Sequence, residues 1–354
     1  MQPQGAMPRL VQHSVRQYNR SRRVIVSHYH NKLASSMSPQ KQQLQLQGHL
    51  LRSRGILRPN SGKRCRVYLP VRCDFSSSSS SQLTTELRDF KDRLRPLGPG
   101  RVDLSLDNGN GLAALVLENQ DRRNALSGRM MVELADAVDT LETWDRGVAV
   151  TLQGAGGSFC AGADLSLARE HVITGVDGRL MCALMTDTLD RLRRLPLISV
   201  AVVDGAAIGG GAELSTCCDF RVAGLETFVR FVQVKMGVST GWGGGARLVG
   251  IVGRREALRL LAWSPKVTAA EGLSLGLLDA VSVEEGGAAS KAADFLAGVL
   301  EREAYGAVRA VKSVVAAADP VSKKLQLAEE DHFSGLWGGT HNRIALESSK
   351  KKKS

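Results

Sequence analysis

Gly154-Ala-Gly-Gly-Ser-Phe-Cys-Ala-Gly-Ala-Asp164 and Asp204-Gly-Ala-Ala-Ile-Gly-Gly-Gly-Ala-Glu213 are the stretches whose reading decides the fold. Each glycine-rich turn is fed by an apolar run: residues 148–152 (VAVTL) before the first, 197–203 (LISVAVV) before the second. Short, nearly continuous, β-branched runs suit strands buried on both faces. Upstream, residues 111–117 (GLAALVL) predict another strand, and Met130, Leu134, Val138 and Leu141 follow at helical spacing. Strands alternating with helices imply a parallel sheet. Right-handed crossovers then bring both turns to one carboxyl edge, where ligand sites of α/β folds form.

Outward from this centre the pattern changes twice. Beyond Gly237 the chain reads as mainly helical. Thr268 and Glu271 have the spacing of a capping box, and apolar residues recur at helical intervals over 288–300 and 305–315. Toward the amino terminus, residues 1–73 carry 14 Lys or Arg and no Asp or Glu, and a serine run occupies 76–81. That leader accounts for the net charge of +12 and leaves the rest near neutral, which argues against a basic nucleic-acid face on the folded part. An Arg-rich, acid-free beginning has the composition of a mitochondrial transit peptide, with a disordered extension as the alternative. The expected organisation is a basic leader over 1–95, an α/β core over 96–265, a helical subdomain over 266–345 and a Lys-rich tail over 346–354. The 6 cysteines show neither CxxC nor zinc-type spacing and read as reduced packing residues. No run of about 18 apolar residues suggests a membrane span.

Glycine turns that open helices expose backbone N–H groups with no Cβ in the way. One such turn only permits a tight bend. Two facing a single point make an oxyanion hole. The pair Phe159-Cys-Ala-Gly-Ala-Asp-Leu165 and Asp204-Gly to Gly209-Gly-Gly-Ala-Glu-Leu214, with Asn124-Ala125-Leu126, Cys218-Asp219, Met236-Gly237 and Arg247-Leu248, resembles the signatures of the enoyl-CoA hydratase/isomerase (crotonase) superfamily.

That resemblance implies a ClpP/crotonase-like spiral of ββα units, an acyl-CoA thioester substrate and no separate cofactor. It further implies assembly as a homo-trimer or hexamer. The N–H groups of Ala163 and Gly210 would hold the thioester oxygen. Ala161, Gly162, Asp164, Leu165, Gly209, Gln233 and Trp242 would line the substrate site, and Glu213 would be the catalytic acid. Asp164 also fits a helix cap, and Arg123 either a CoA phosphate ligand or a plain surface arginine. Hydratases work with two glutamates, and the second position, four residues before Gly237, holds Gln233. An amide does not split water as a carboxylate pair does.

Arg194-Leu-Pro-Leu-Ile-Ser-Val-Ala201, Arg230-Phe-Val232, Trp242-Gly-Gly244 and Leu336-Trp-Gly-Gly339 are similar instead to the ethylmalonyl-CoA decarboxylase branch. Its members remove CO2 from ethylmalonyl-CoA and, less efficiently, methylmalonyl-CoA, as metabolite repair in the cytosol. On this reading Glu213 delivers the proton to the enolate, directly or through water, and Trp242 walls the carboxylate pocket. Alternatives are a hydratase or isomerase acting on another acyl-CoA, and a non-catalytic relative. Gly241-Trp-Gly-Gly-Gly-Ala246 formally fits a dinucleotide motif, but Trp242 stands where a pyrophosphate would approach. A Ser or Cys hydrolase lacks a partner, since no His lies between Thr174 and Pro320.

Overall fold

The computed structural model describes residues 80–284, 287–300, 305–318 and 323–351. The chain begins there with α1 (Ser80–Leu94), then β1 (Arg101–Asp107), β2 (Leu112–Glu118), a 3-10 turn (Gln120–Arg122) and α2 (Gly128–Thr143). β3 (Ala149–Gly154), α3 (Leu165–Glu170), α4 (Gly175–Arg194), β4 (Ile198–Val203), β5 (Ala206–Ile208) and α5 (Gly210–Ser215) carry the two glycine turns. β6 (Phe220–Ala223), β7 (Phe228–Arg230), a second 3-10 turn (Gln233–Met236), α6 (Gly244–Trp263), β8 (Val267–Thr268), α7 (Ala269–Leu275) and β9 (Ala280–Val281) follow. α8 (Ala288–Leu300), α9 (Tyr305–Ala317), α10 (Lys323–Leu336) and α11 (Thr340–Lys351) complete it.

One sheet has the order β1-β2-β3-β4-β6-β9, antiparallel between β1 and β2 and parallel from β2 onward. A second small sheet is β5-β7-β8. In register, Leu115 faces Leu152, and Leu152 faces Ala201. The period of two divides β4 between two cores. Ala201 and Val203 join the large cluster with α2 and α4, while Val200 and Val202 pack with Ala292 and Leu296 of α8. This double burial is why residues 197–203 read as a nearly continuous apolar sequence, broken only by Ser199.

Three expected boundaries move. Residues 80–94 are not part of a structureless leader. They form α1, whose Phe90 and Leu94, four apart on one face, sit in the main core at 2% and 0% exposure. The serine-rich composition hid this short apolar stripe. The expected leader from 1 to 79, with its transit-peptide reading, lies outside the described residues. Leu346, assigned to the tail, is buried, and α11 runs on to Lys351. The segment after 265 is not purely helical, because β8 pairs with β7 and β9 with β6. Thr268 caps α7 by accepting from the Glu271 N–H, whereas the Glu271 side chain bonds Arg259 instead of closing the box. No helix among the described residues is long and apolar enough to cross a membrane.

Candidate active site

The two glycine turns are stitched together by backbone bonds. Cys160 bridges Ala207, with the Cys160 N–H on Ala206 O at 3.1 Å and the Ile208 N–H on Cys160 O at 2.9 Å. Behind the first turn stands Asn124, fully buried. Its Nδ2 donates to Ala155 O at 2.7 Å and Ser158 O at 2.6 Å, while its Oδ1 accepts from the Asn119 N–H. The turn is therefore rigid although irregular.

Leu126 fixes the direction of the Ala163 amide. In their parallel bridge the Leu126 N–H donates to Gly162 O and the Asp164 N–H donates to Leu126 O. Such a bridge uses the groups flanking the central residue, so the Ala163 N–H points the opposite way. Gly210 is the first residue of α5, where the N–H has no intrahelical acceptor. Neither amide has a hydrogen-bond acceptor among the described residues. Gly162 has φ +91°, and a Cβ there would lie 2.9 Å from the Gly210 nitrogen. Only glycine lets the two turns approach this closely.

These amides open on a cavity of about 100 Å³. Ala161, Gly162, Ala163, Leu165, Gly209, Gly210, Glu213, Gln233 and Trp242 all line it. Of the expected site residues, Asp164 alone is not brought to the cavity. Its carboxylate turns back to accept from the Ser166 N–H as the cap of α3, and it pairs with Arg122. Those contacts hold its carboxyl below the usual range against the opposing effect of burial. Arg123 is exposed and in a left-handed turn at φ 51°.

Glu213 is buried, and four donors surround it. Oε2 accepts from the N–H groups of Trp242 at 2.8 Å and Gly244 at 3.0 Å. Oε1 accepts from Gln233 Nε2 at 2.6 Å and, more distantly, from the Gly241 N–H at 3.4 Å. Burial, then the neighbouring Glu329, push its carboxyl up to about 7, while the Trp242 N–H, Gln233 and Arg247 pull it down. Arg247 is itself 2% exposed and ties the local backbone, donating to Glu213 O, Trp242 O and Thr216 Oγ1.

Sequence reasoning missed the roof of the cavity. Phe333 and Trp337, four apart around the end of α10, stack at 5.0 Å between ring centroids, and both line it with Asn342 and Leu346 of α11. Trp337 Nε1 donates to Val172 O, and Asn342 Nδ2 donates to Met236 O. Their helical spacing was a visible signal. Glu329 gave none: it accepts from the N–H groups of Gly245 and Ala246, far away in sequence.

The family profile described as Enoyl-CoA hydratase/isomerase matches residues 107–343. A zebrafish (Danio rerio) protein named ethylmalonyl-CoA decarboxylase is 43% identical over 269 residues, covering 75% of this chain and 88% of that protein. The human protein of the same name is 37% identical over 261 residues, covering 73% and 84%. A solved enoyl-CoA hydratase from Mycobacterium avium subsp. paratuberculosis K-10 superposes with a TM-score of 0.63 at 23% identity, covering 71% of this chain and 96% of that one. One from Bacillus anthracis gives 0.57 at 26%, with 70% and 96% covered.

Proposed function

This chain belongs to the enoyl-CoA hydratase/isomerase family, and from that footing we propose that it decarboxylates ethylmalonyl-CoA, with methylmalonyl-CoA as the poorer substrate, through a thioester enolate. Loss of CO2 leaves an electron pair that must flow into the thioester carbonyl. The amides of Ala163 and Gly210 would hold the oxygen on which that charge develops, and one such donor is worth about 3 kcal/mol of barrier. The thioester is its own electron sink, so the step calls for no cofactor. Trp242, 3% exposed, stacks over the Gly210 backbone and gives the departing carboxylate an apolar wall. Glu213 adds negative charge beside that carboxylate, which disfavours the bound ground state.

The observation that carries this reading is what the cavity offers beside the two free amides. Its one acid among the described residues, Glu213, already has four donors, and its other polar side chains are the amides of Gln233 and Asn342. Among the described residues no second carboxylate lines the cavity with which to orient and split water for hydration. The same donors oppose direct proton delivery by Glu213 and favour the route through water. Incubation of the pure protein with ethylmalonyl-CoA should yield CO2 and butyryl-CoA, while crotonyl-CoA should remain unhydrated. Hydration without CO2 release would overturn the reading. The family reading also implies the cytosol, rather than the mitochondrial matrix suggested by leader composition, and a homo-trimer or hexamer. Fractionation of cells expressing the tagged full chain tests the first, and native mass spectrometry the second.

A further inference from the structure

Three buried side-chain oxygens have no hydrogen-bond partner among the described residues: Ser158 Oγ, Ser264 Oγ and Gln233 Oε1. Only Gln233 lines the cavity, and it is 8% exposed. An unpaired buried carbonyl is a standing free-energy penalty unless a ligand supplies a donor.

Where Glu213 is ionised, above about pH 7, the direction of this oxygen is enforced. Glu213 Oε2 is occupied by the Trp242 and Gly244 N–H groups, and Oε1 faces Gln233. Those backbone donors belong to the entry of α6 and cannot turn away. An ionised Glu213 therefore accepts only from the NH2 side of the Gln233 amide, which leaves Oε1 without a partner at a residue that lines the cavity. On the decarboxylase reading, on which this inference rests, the reacting end of the substrate carries only acceptors: a thioester carbonyl and a carboxylate. Neither can satisfy Oε1. A water molecule can, and it has a second proton to give.

We propose that Gln233 is a positioning residue for the protonation step: its Oε1 holds a water molecule against the enolate carbon, and that water supplies the proton that replaces the carboxylate. One O–H bond of the water breaks as the C–H bond forms from the enolate pair and the thioester C=O is restored. The hydroxide left behind takes a proton from solvent, and CO2 departs as such.

The test uses unlabelled ethylmalonyl-CoA in D2O, where each turnover places one deuterium at C2 of butyryl-CoA. A held water delivers it to one face, so the wild-type product is a single C2 epimer. Gln233→Leu removes both the donor to Glu213 and the unpaired acceptor. Gln233→Lys keeps a donor for Glu213 but offers no acceptor. Both variants should lower kcat by about 10²-fold, the scale of a lost general acid, with KM little changed, and both should give mixed epimers. A merely structural Gln233 would alter rate or stability but not stereochemistry. CO2 release with mixed epimers from the wild type, or a single epimer from either variant, overturns the water proposal while leaving the decarboxylase reading intact. Absence of CO2 from the wild type defeats that reading first, and this inference with it.

Discussion

Replacing Glu213 by Gln should change how stability depends on pH by about 3 kcal/mol while preserving the fold. Burial and Glu329 place the Glu213 carboxyl at about 7 in the folded protein, against an ordinary 4.5. Across that interval the folded chain binds a proton that the unfolded chain has already released. The group's contribution is thus complete below about pH 4.5 and is lost as pH rises through about 7. A shift of this size, at about 1.4 kcal/mol per unit, amounts to about 3 kcal/mol. Gln cannot titrate, so the variant lacks this decline. Whatever the offset between the two proteins at low pH, the difference should move in the variant's favour by about 3 kcal/mol between pH 4.5 and pH 8. Arg247 and Glu329 are present in both proteins and cancel to first order. Turnover should move the other way at pH 8, because the new NH2 group opposes either the N–H groups on Oε2 or Gln233 Nε2. Urea unfolding of both proteins across this range, with equal m-values as the control, reads the difference directly. Curves that stay parallel to within about 0.5 kcal/mol, less than any resolvable part of the linkage, would refute the assignment of a raised Glu213.

Gly210→Ala would set a Cβ 2.4 Å from the buried Trp242 ring, displacing the donor, and should lower kcat for CO2 release by about 10²- to 10³-fold. Asp164→Ala removes the cap of α3 and the partner of the half-exposed Arg122, and should cost about 1–2 kcal/mol in urea unfolding. Because Asp164 lies outside the cavity, its turnover should be nearly unchanged. Phe333→Ala should cost about 3–5 kcal/mol by the same method, and by unroofing the cavity it should raise the relative kcat/KM for 2-propylmalonyl-CoA in competition with ethylmalonyl-CoA.

The central strands and the two turns were legible in the sequence because their constraints are local. A strand buried on both faces writes an apolar run, and an amide that must approach another backbone writes glycine. Gly162 and Gly210 in particular were marked out by the resemblance of the paired turns to the family's signatures. β1 left a weaker trace: Val102, Leu104 and Leu106 alternate, but the residues of this edge strand are mostly exposed, so their apolar content is low. α1 was hidden because its stripe of Phe90 and Leu94 sits in a segment whose composition is otherwise that of an extension. Glu213 was legible as a site residue, but its saturation was not. Its donors come from Gln233 and from the turn entering α6, and nothing in the spacing of Glu213, Gln233, Trp242 and Gly244 says which way each group points.

The entry of α6 explains why the acid and the cavity roof belong to one device. Five backbone N–H groups there donate to two carboxylates: Gly241, Trp242 and Gly244 to Glu213, Gly245 and Ala246 to Glu329. A helix start favours negative charge, but the buried Glu213 and the half-buried Glu329 oppose each other there, and after burial Glu329 is the next cause that raises Glu213. Glu329 stands on α10, one turn before Phe333, which roofs the cavity with Trp337. Burial and Glu329 together raise the Glu213 carboxyl, so the helix that carries the cavity's roof also contributes to raising the acid within it.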